Sequence, residues 1–214
     1  MNQIKLNHII PHPIKEFGFD QSMVWNNDIV FEKGNYYQIV APSGVGKSTL
    51  INIIYGDRTD YVGELMFDDT SAKGLKQKDW NEIRKTKLSY VFQGLHLFEE
   101  LTLLENIQLK NGLTKHATEH QIKVWIEAVG LEKHLHQKAV HLSYGQRQRI
   151  AVIRAFCQPF DFMLLDEPFS HLDVINQNLL MDLIEIEAKK KNAGIIFTSL
   201  QPIKDQRIHH VVQL

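Results

Sequence analysis

In the first third of the chain, apolar residues come in short runs broken by polar turns, a texture that predicts strands. Such runs lie at 23–31, 37–40, 63–67 and 87–92, and Glu32, Lys33, Gly34 and Asn35 form a turn between the first two. From residue 101 the period changes. Leu101, Leu104, Ile107 and Leu109 recur at helical spacing, as do Ile122, Trp125, Ile126 and Val129, and Gly130 is placed to end the second helix. Residues 160–165 read as a strand without polar alternation, as in a sheet covered on both faces. Residues 179–188 predict an amphipathic helix, and Lys189, Lys190 and Lys191 suit the negative end of its dipole. A strand at 195–198 follows Gly194, and Val211 and Val212 predict a short last strand. This order predicts an α/β core interrupted by a mostly helical insert.

The run Ala41-Pro42-Ser43-Gly44-Val45-Gly46-Lys47-Ser48-Thr49 joins the strand at 37–40 to a helical stretch at 50–55. Strand, glycine loop, lysine, hydroxyl and helix is the order that a nucleoside triphosphate site needs. Gly44 and Gly46 let the backbone curl so that N–H groups face the phosphates, and the helix points its positive end at the same anion. Lys47 supplies charge for the β- and γ-phosphates, and Ser48 supplies a hydroxyl ligand for Mg²⁺. Ala41 stands where the pattern usually has Gly, which is tolerated if its φ stays negative.

A second element sharpens this reading. Residues 160–165 lead directly into Asp166, Glu167 and Pro168. A carboxylate at the end of an apolar strand can complete the Mg²⁺ shell, and the next one can orient and polarise a water in line with the γ-phosphate.

Composition removes several other classes. The chain has 214 residues, 43% hydrophobic and 23% charged, with a net charge of −1, so broad electrostatic attraction to nucleic acid or anionic lipid is not expected. Cys157 is the one cysteine, in an apolar stretch that predicts a buried thiol. No apolar run is long enough to span a bilayer, and the N-terminus has no signal core, which predicts a cytoplasmic chain that reaches any membrane through a partner. The eleven histidines lack a completing set of Cys or acid and read as surface residues, and Trp25, Trp80 and Trp125 as core or half-buried anchors.

The stretch Leu142-Ser143-Tyr144-Gly145-Gln146-Arg147-Gln148-Arg149, in conjunction with the elements above, resembles the signature of the nucleotide-binding subunits of ABC (ATP-binding cassette) transporters. The resemblance covers essentially the full length. Gln93 resembles the family's Q-loop glutamine, and Ser170-His171-Leu172-Asp173 its D-loop. Leu101-Thr102-Leu103-Leu104-Glu105-Asn106 is similar to the segment after the Q-loop in the subgroup that serves lipoprotein-release and macrolide-export permeases.

What the resemblance implies is specific. The fold is an α/β P-loop NTPase, with a RecA-like core, an N-terminal antiparallel β region and an inserted α-helical subdomain. One cassette spans 1–214, its core at 1–97 and 155–214 and its helical subdomain at about 98–154. ATP sits on Ser43, Gly44, Val45, Gly46, Lys47, Ser48 and Thr49. Glu167, Gln93 and Lys47 are the catalytic residues, and Ser48, Gln93 and Asp166 hold Mg²⁺. Ser143, Gly145 and Gln146 meet the ATP of a second cassette, with Asp173 in the D-loop, so that ATP closes a homodimer or pseudo-dimer. The permease is a separate membrane-spanning subunit, the chain sits peripherally on the cytoplasmic face of the inner membrane, and no nucleic acid partner is expected.

Two positions depart from the family. Tyr144 replaces the first signature glycine, and its side chain either crowds the partner's nucleotide or points away and packs. Leu200 stands where the family has a switch histidine, and leucine cannot hydrogen-bond the γ-phosphate or a water. Gln201 next to it faces away if the strand continues. Slow hydrolysis is therefore expected. The adenine-stacking residue is Phe17, Phe19 or His12. Two other readings stand beside the transporter subunit: a soluble cassette ATPase acting on nucleic acid or ribosomes, and a hydrolysis-poor nucleotide sensor.

Overall fold

The computed structural model describes residues 1–15, 18 and 22–214, so Phe17 and Phe19 lie outside the described residues. Its elements in chain order are β1 (Gln3–Pro11), α1 (His12–Lys15), β2 (Asp28–Glu32), β3 (Tyr36–Val40), α2 (Lys47–Tyr55), β4 (Tyr61–Phe67) and β5 (Thr70–Ser71). There follow α3 (Gln77–Thr86), β6 (Leu88–Val91), α4 (Leu103–Thr114), α5 (Glu119–Ala128), α6 (Tyr144–Phe156), β7 (Phe162–Leu165), α7 (Val174–Lys191), β8 (Gly194–Ser199) and β9 (His210–Gln213).

Two sheets organise these elements. A five-stranded parallel sheet runs β6-β7-β8-β3-β9, and a four-stranded antiparallel sheet runs β2-β1-β4-β5. Period-two alternation splits the parallel strands between two cores. Phe162, Leu164 and Ile196 join Leu50, Ile51, Ile53 and Ile54 of α2 and Ile4, Leu6 and Leu65 of the antiparallel sheet. Met163, Leu165, Ile195 and Phe197 pack instead with Ile150 and Ile153 of α6 and Leu180 and Ile184 of α7. The helix after the glycine loop is thus held between two sheets, which fixes the loop's direction.

Several expectations need correction. The strand predicted at 23–31 begins only at Asp28. Ser22 Oγ accepts the Val24 and Trp25 N–H groups at 3.0 and 2.8 Å, and Asn26 takes φ 58, so the preceding residues form a turn. The strand read at 160–165 starts at Phe162, because Asp161 is drawn out into an ionic cluster. The helix predicted at 179–188 is longer and is not a one-sided amphipath: Leu180, Leu183 and Ile184 are buried, while Val174, Ile175 and Ile186 face solvent. Its lysine tail is bound to its own helix, Lys189 to Glu185 and Lys190 to Glu187, both at 2.6 Å. Gly130 takes φ 67 just past α5, and Cys157 is buried, its thiol pushed up to about 12 by desolvation.

Asp161 joins distant segments. It accepts from Lys33 Nζ at 2.5 Å and lies 3.3 Å from Lys87 Nζ, with its side chain only 14% exposed. Burial, the largest single influence, would raise its pKa, but the bonds and charges of Lys33 and of the Met1 amino group, 2.8 Å away, together hold the carboxyl below the ordinary 3.8. A folded-state pKa below the unfolded value gives stability that is present above the unfolded pKa and lost as pH falls through the folded one. Asp161→Asn is expected to cost about 2 kcal/mol at pH 7, or roughly 5 °C in Tm. Paired urea melts check this: the gap between variant and parent narrows in acid, and a gap equal at pH 7 and pH 3 would contradict it.

Candidate nucleotide site

β3 ends under a loop whose backbone carries the left-handed turns that glycine permits: Gly44 has φ 86 and Gly46 φ 110. Ala41 is absent from the positive-φ residues, so its methyl is accommodated. Below the loop lies Trp25; a Cβ on Gly46 would stand 3.2 Å from its ring and 2.5 Å from Ile14 Cδ1. Gly46 is the N-cap of α2 and offers no side-chain acceptor, so the first turn of that helix aims N–H groups into the loop without a local partner. An anion is the natural acceptor there.

Lys47 is buried, and its Nζ donates to the carbonyls of Ala41 and Pro42 at 2.9 and 2.8 Å. The same nitrogen lies 3.2 Å from Glu167 Oε1. A cavity of about 200 Å³ is lined by Ser43, Gly44, Gly46, Lys47, Ser48, Thr49, Gln93 and Glu167. Three segments far apart in sequence therefore meet on one space. Val45 is exposed on the loop and does not line it, and Thr49 also accepts from Arg58 Nη1 at 3.3 Å.

The two carboxylates are held differently. Asp166 is buried at the end of β7, its Oδ1 accepting from Thr198 Oγ1 at 2.7 Å. Glu167 takes φ 51, a strained conformation made more so by the following Pro168. Its N–H donates to Thr198 Oγ1 at 2.8 Å, and its carbonyl accepts from Gln148 Nε2 at 3.0 Å and Ser170 Oγ at 3.1 Å. Thr198 thus joins the Asp166 carboxylate to the Glu167 backbone, and Gln148 ties that backbone to α6. Sequence reasoning missed both residues; the available signal was a hydroxyl in an apolar strand and a glutamine among apolar helix positions.

Ser143, Gly145, Gln146 and Asp173 do not line this cavity. Ser143 is exposed as N-cap of α6, where its Oγ accepts from Gln146 N at 3.2 Å and Gln146 Oε1 accepts from Ser143 N at 2.8 Å. Asp173 caps α7, accepting from Asn176 N at 2.9 Å, and this bond holds its carboxyl below the ordinary range. Leu200 is 50% exposed beyond the end of β8, beside a second cavity of about 190 Å³ that it shares with Glu167, Gln177 and Thr198. β8 stops at Ser199, so Gln201 is not on a continuing strand. Its carbonyl is held by buried Gln38 at 3.0 Å. His12 is exposed in α1. Among the described residues, no helix is long and apolar enough to cross a membrane.

A glycine loop gripping a helix N-terminus, a buried lysine and a strand-end carboxylate pair define a P-loop nucleotide-binding protein of the α/β class. Residues 26–170 match the family model described as ABC transporter, and the chain belongs to that family as an ATP-hydrolysing subunit. It is 33% identical to the phosphonates import ATP-binding protein of Fusobacterium nucleatum, over 86% of this chain and 78% of that protein. It is 32% identical to the lipoprotein-releasing system ATP-binding protein of Legionella pneumophila, over 85% of this chain and 79% of that one. Among solved structures, a dimeric ATP-binding cassette in a post-hydrolysis state bound to ADP and Pi superposes with TM-score 0.76 at 26% identity, covering 92% of this chain and 88% of the other.

Proposed function

We propose that two copies of this chain, or this chain and a second cassette, close on two ATP molecules and drive a separate membrane-spanning permease of the export or lipoprotein-release type. The observation that carries this reading is the split site: one cavity unites Lys47, Gln93 and Glu167, while Ser143 and Gly145 stand apart from it at the start of α6. A helix start is an anion site by its nature, and one that lies outside its own chain's loop cavity suits a neighbour's phosphates. On closure, loop N–H groups and Lys47 hold the β- and γ-phosphates, and Ser143 and the Gly145 N–H complete the cage. Glu167, fixed through Thr198 and Gln148, takes the proton of the attacking water. Ser48, Gln93 and Asp166 would hold Mg²⁺, which when bound neutralises phosphate charge. Closure and release then become a ligand-driven shift between two dimer states.

The permease contact is proposed at a cavity of about 270 Å³ beside the Q-loop, lined by Tyr55, Tyr90, Phe92, Phe98, Leu109 and Leu113. Phe98 is 55% and Leu113 76% exposed, an apolar surface that a partner would cover. The chain then works on the cytoplasmic face of the inner membrane. Pull-down from native membranes tests this: a multi-span protein should co-purify, and its loss with Leu113→Glu should follow. Single-turnover ATP cleavage tests the chemistry. No cleavage even with the permease would make the chain a nucleotide-gated sensor instead.

Leu200 offers no hydrogen bond on the far side of Glu167. Leu200→His is expected to raise the single-turnover rate by about tenfold, the worth of one charge-assisted bond made in the transition state. An unchanged rate would mean that this position does not limit hydrolysis.

A further inference from the structure

Tyr144 stands where the family ordinarily has glycine, and its half-buried side chain touches two other motifs of the same chain. Its hydroxyl donates to the Gln93 carbonyl at 2.8 Å. Its ring meets His171 edge-on, with centroids 4.3 Å apart and planes at 64°, and the Arg147 guanidinium carbon lies 5.6 Å from the ring centroid. A glycine makes none of these contacts. Beside it, a Cβ on Gly145 would stand 3.0 Å from Leu172 Cδ2, so the backbone at the start of α6 presses directly on the D-loop. Farther along the same helix, Arg154 donates to the carbonyls of Leu95 and His96, both at 2.6 Å. One helix therefore grips the Q-loop at Gln93 and again at Leu95 and His96. Burial raises the phenol's pKa, which keeps it a hydrogen-bond donor at neutral pH.

We propose that Tyr144 is a positioning residue that straps the start of α6 to the Q-loop and the D-loop, so that Gln93 and the signature move as one body. Gln93 lines the nucleotide cavity with Lys47 and Glu167, and the strap holds its backbone carbonyl. Movement of the helices under a permease is then transmitted to Gln93 directly, and the ring, held within its own chain, does not crowd the neighbour's nucleotide. The kinetic part of this inference rests on the ATPase reading; the structural part does not.

Tyr144→Phe keeps the ring and removes only the hydroxyl, and Tyr144→Gly restores the family residue. Hydrogen exchange by mass spectrometry on the full chain, without nucleotide, reads the strap. Tyr144→Phe should speed exchange of the peptide covering 92–97 by about fivefold, the loss expected for one hydrogen bond, while β8 is unchanged. Tyr144→Gly should also speed exchange at 170–173. With ATP, Tyr144→Phe should lower kcat by about fivefold and leave the equilibrium ATP affinity unaltered. Exchange at 92–97 equal to the parent's would overturn the proposal whatever the kinetics, and faster exchange with unchanged kcat would overturn the positioning role. A parent chain without ATPase activity would instead fail the functional reading and leave the exchange result standing.

Discussion

Glu167→Gln is expected to cut ATP turnover by about a thousandfold while ATP still binds, so that an ATP-bound dimer accumulates. The amide keeps the size of the carboxylate and cannot take a proton from water. The backbone clamp does not depend on the side chain: the Glu167 N–H still donates to Thr198 Oγ1, and its carbonyl still accepts from Gln148 and Ser170. The variant should therefore fold and melt close to the parent, apart from losing the 3.2 Å ion pair with Lys47. Removing that pair also frees Lys47 for phosphate, so ATP affinity should hold or rise. Steady-state phosphate release and light scattering read the two effects separately. A variant that hydrolyses within tenfold of the parent would move the general base elsewhere.

Lys47→Met is expected to weaken ATP binding by about a hundredfold, roughly 3 kcal/mol, because on the proposed reading the buried ammonium would make charge-assisted bonds to phosphate. Methionine keeps the apolar stem, so the effect is one of charge. The change has a second consequence in the free protein. Lys47 Nζ caps the carbonyls of Ala41 and Pro42, and the variant leaves them without that donor beside an unpaired Glu167. A modest fall in Tm should accompany the loss of affinity. Isothermal titration with a non-hydrolysable ATP analogue checks the first, and affinity within threefold of the parent would show that the loop N–H groups alone carry the phosphates.

The parts of the site that were legible in the sequence are those whose chemistry needs neighbours in the chain. Gly44, Gly46, Lys47 and Ser48 act as one local turn, and Asp166 and Glu167 follow directly on an apolar strand, so linear spacing encodes their geometry. β7 was readable because both of its faces are buried. β1 was missed although Ile4 and Leu6 alternate with Lys5 and Asn7, since its pairing with β4 is interrupted by a register shift between Asn7 and Ile10 and the signal is short. α3 was missed because it buries no residue fully, and its apolar content is little more than Trp80 and Ile83. The Thr198 and Gln148 contacts with Glu167 span 31 and 19 residues, so the lone polar residue that each presents in an apolar setting does not reveal its partner. The sequence allows Tyr144 two outcomes, and the contact that decides between them reaches across 51 residues to a backbone carbonyl.

If one ATP is gripped by the loop of one copy and the α6 start of another, those two segments come together between copies. Cysteines placed at Ser43 and Ser143 in the Glu167→Gln chain, both exposed in the free subunit, should then be joined by a short bis-maleimide. Cys157 is buried and should stay silent. A crosslinked species of twice the chain mass that forms with ATP and not with ADP is the predicted result. A chain that stays monomeric with ATP, or crosslinks equally with either nucleotide, would contradict the shared grip.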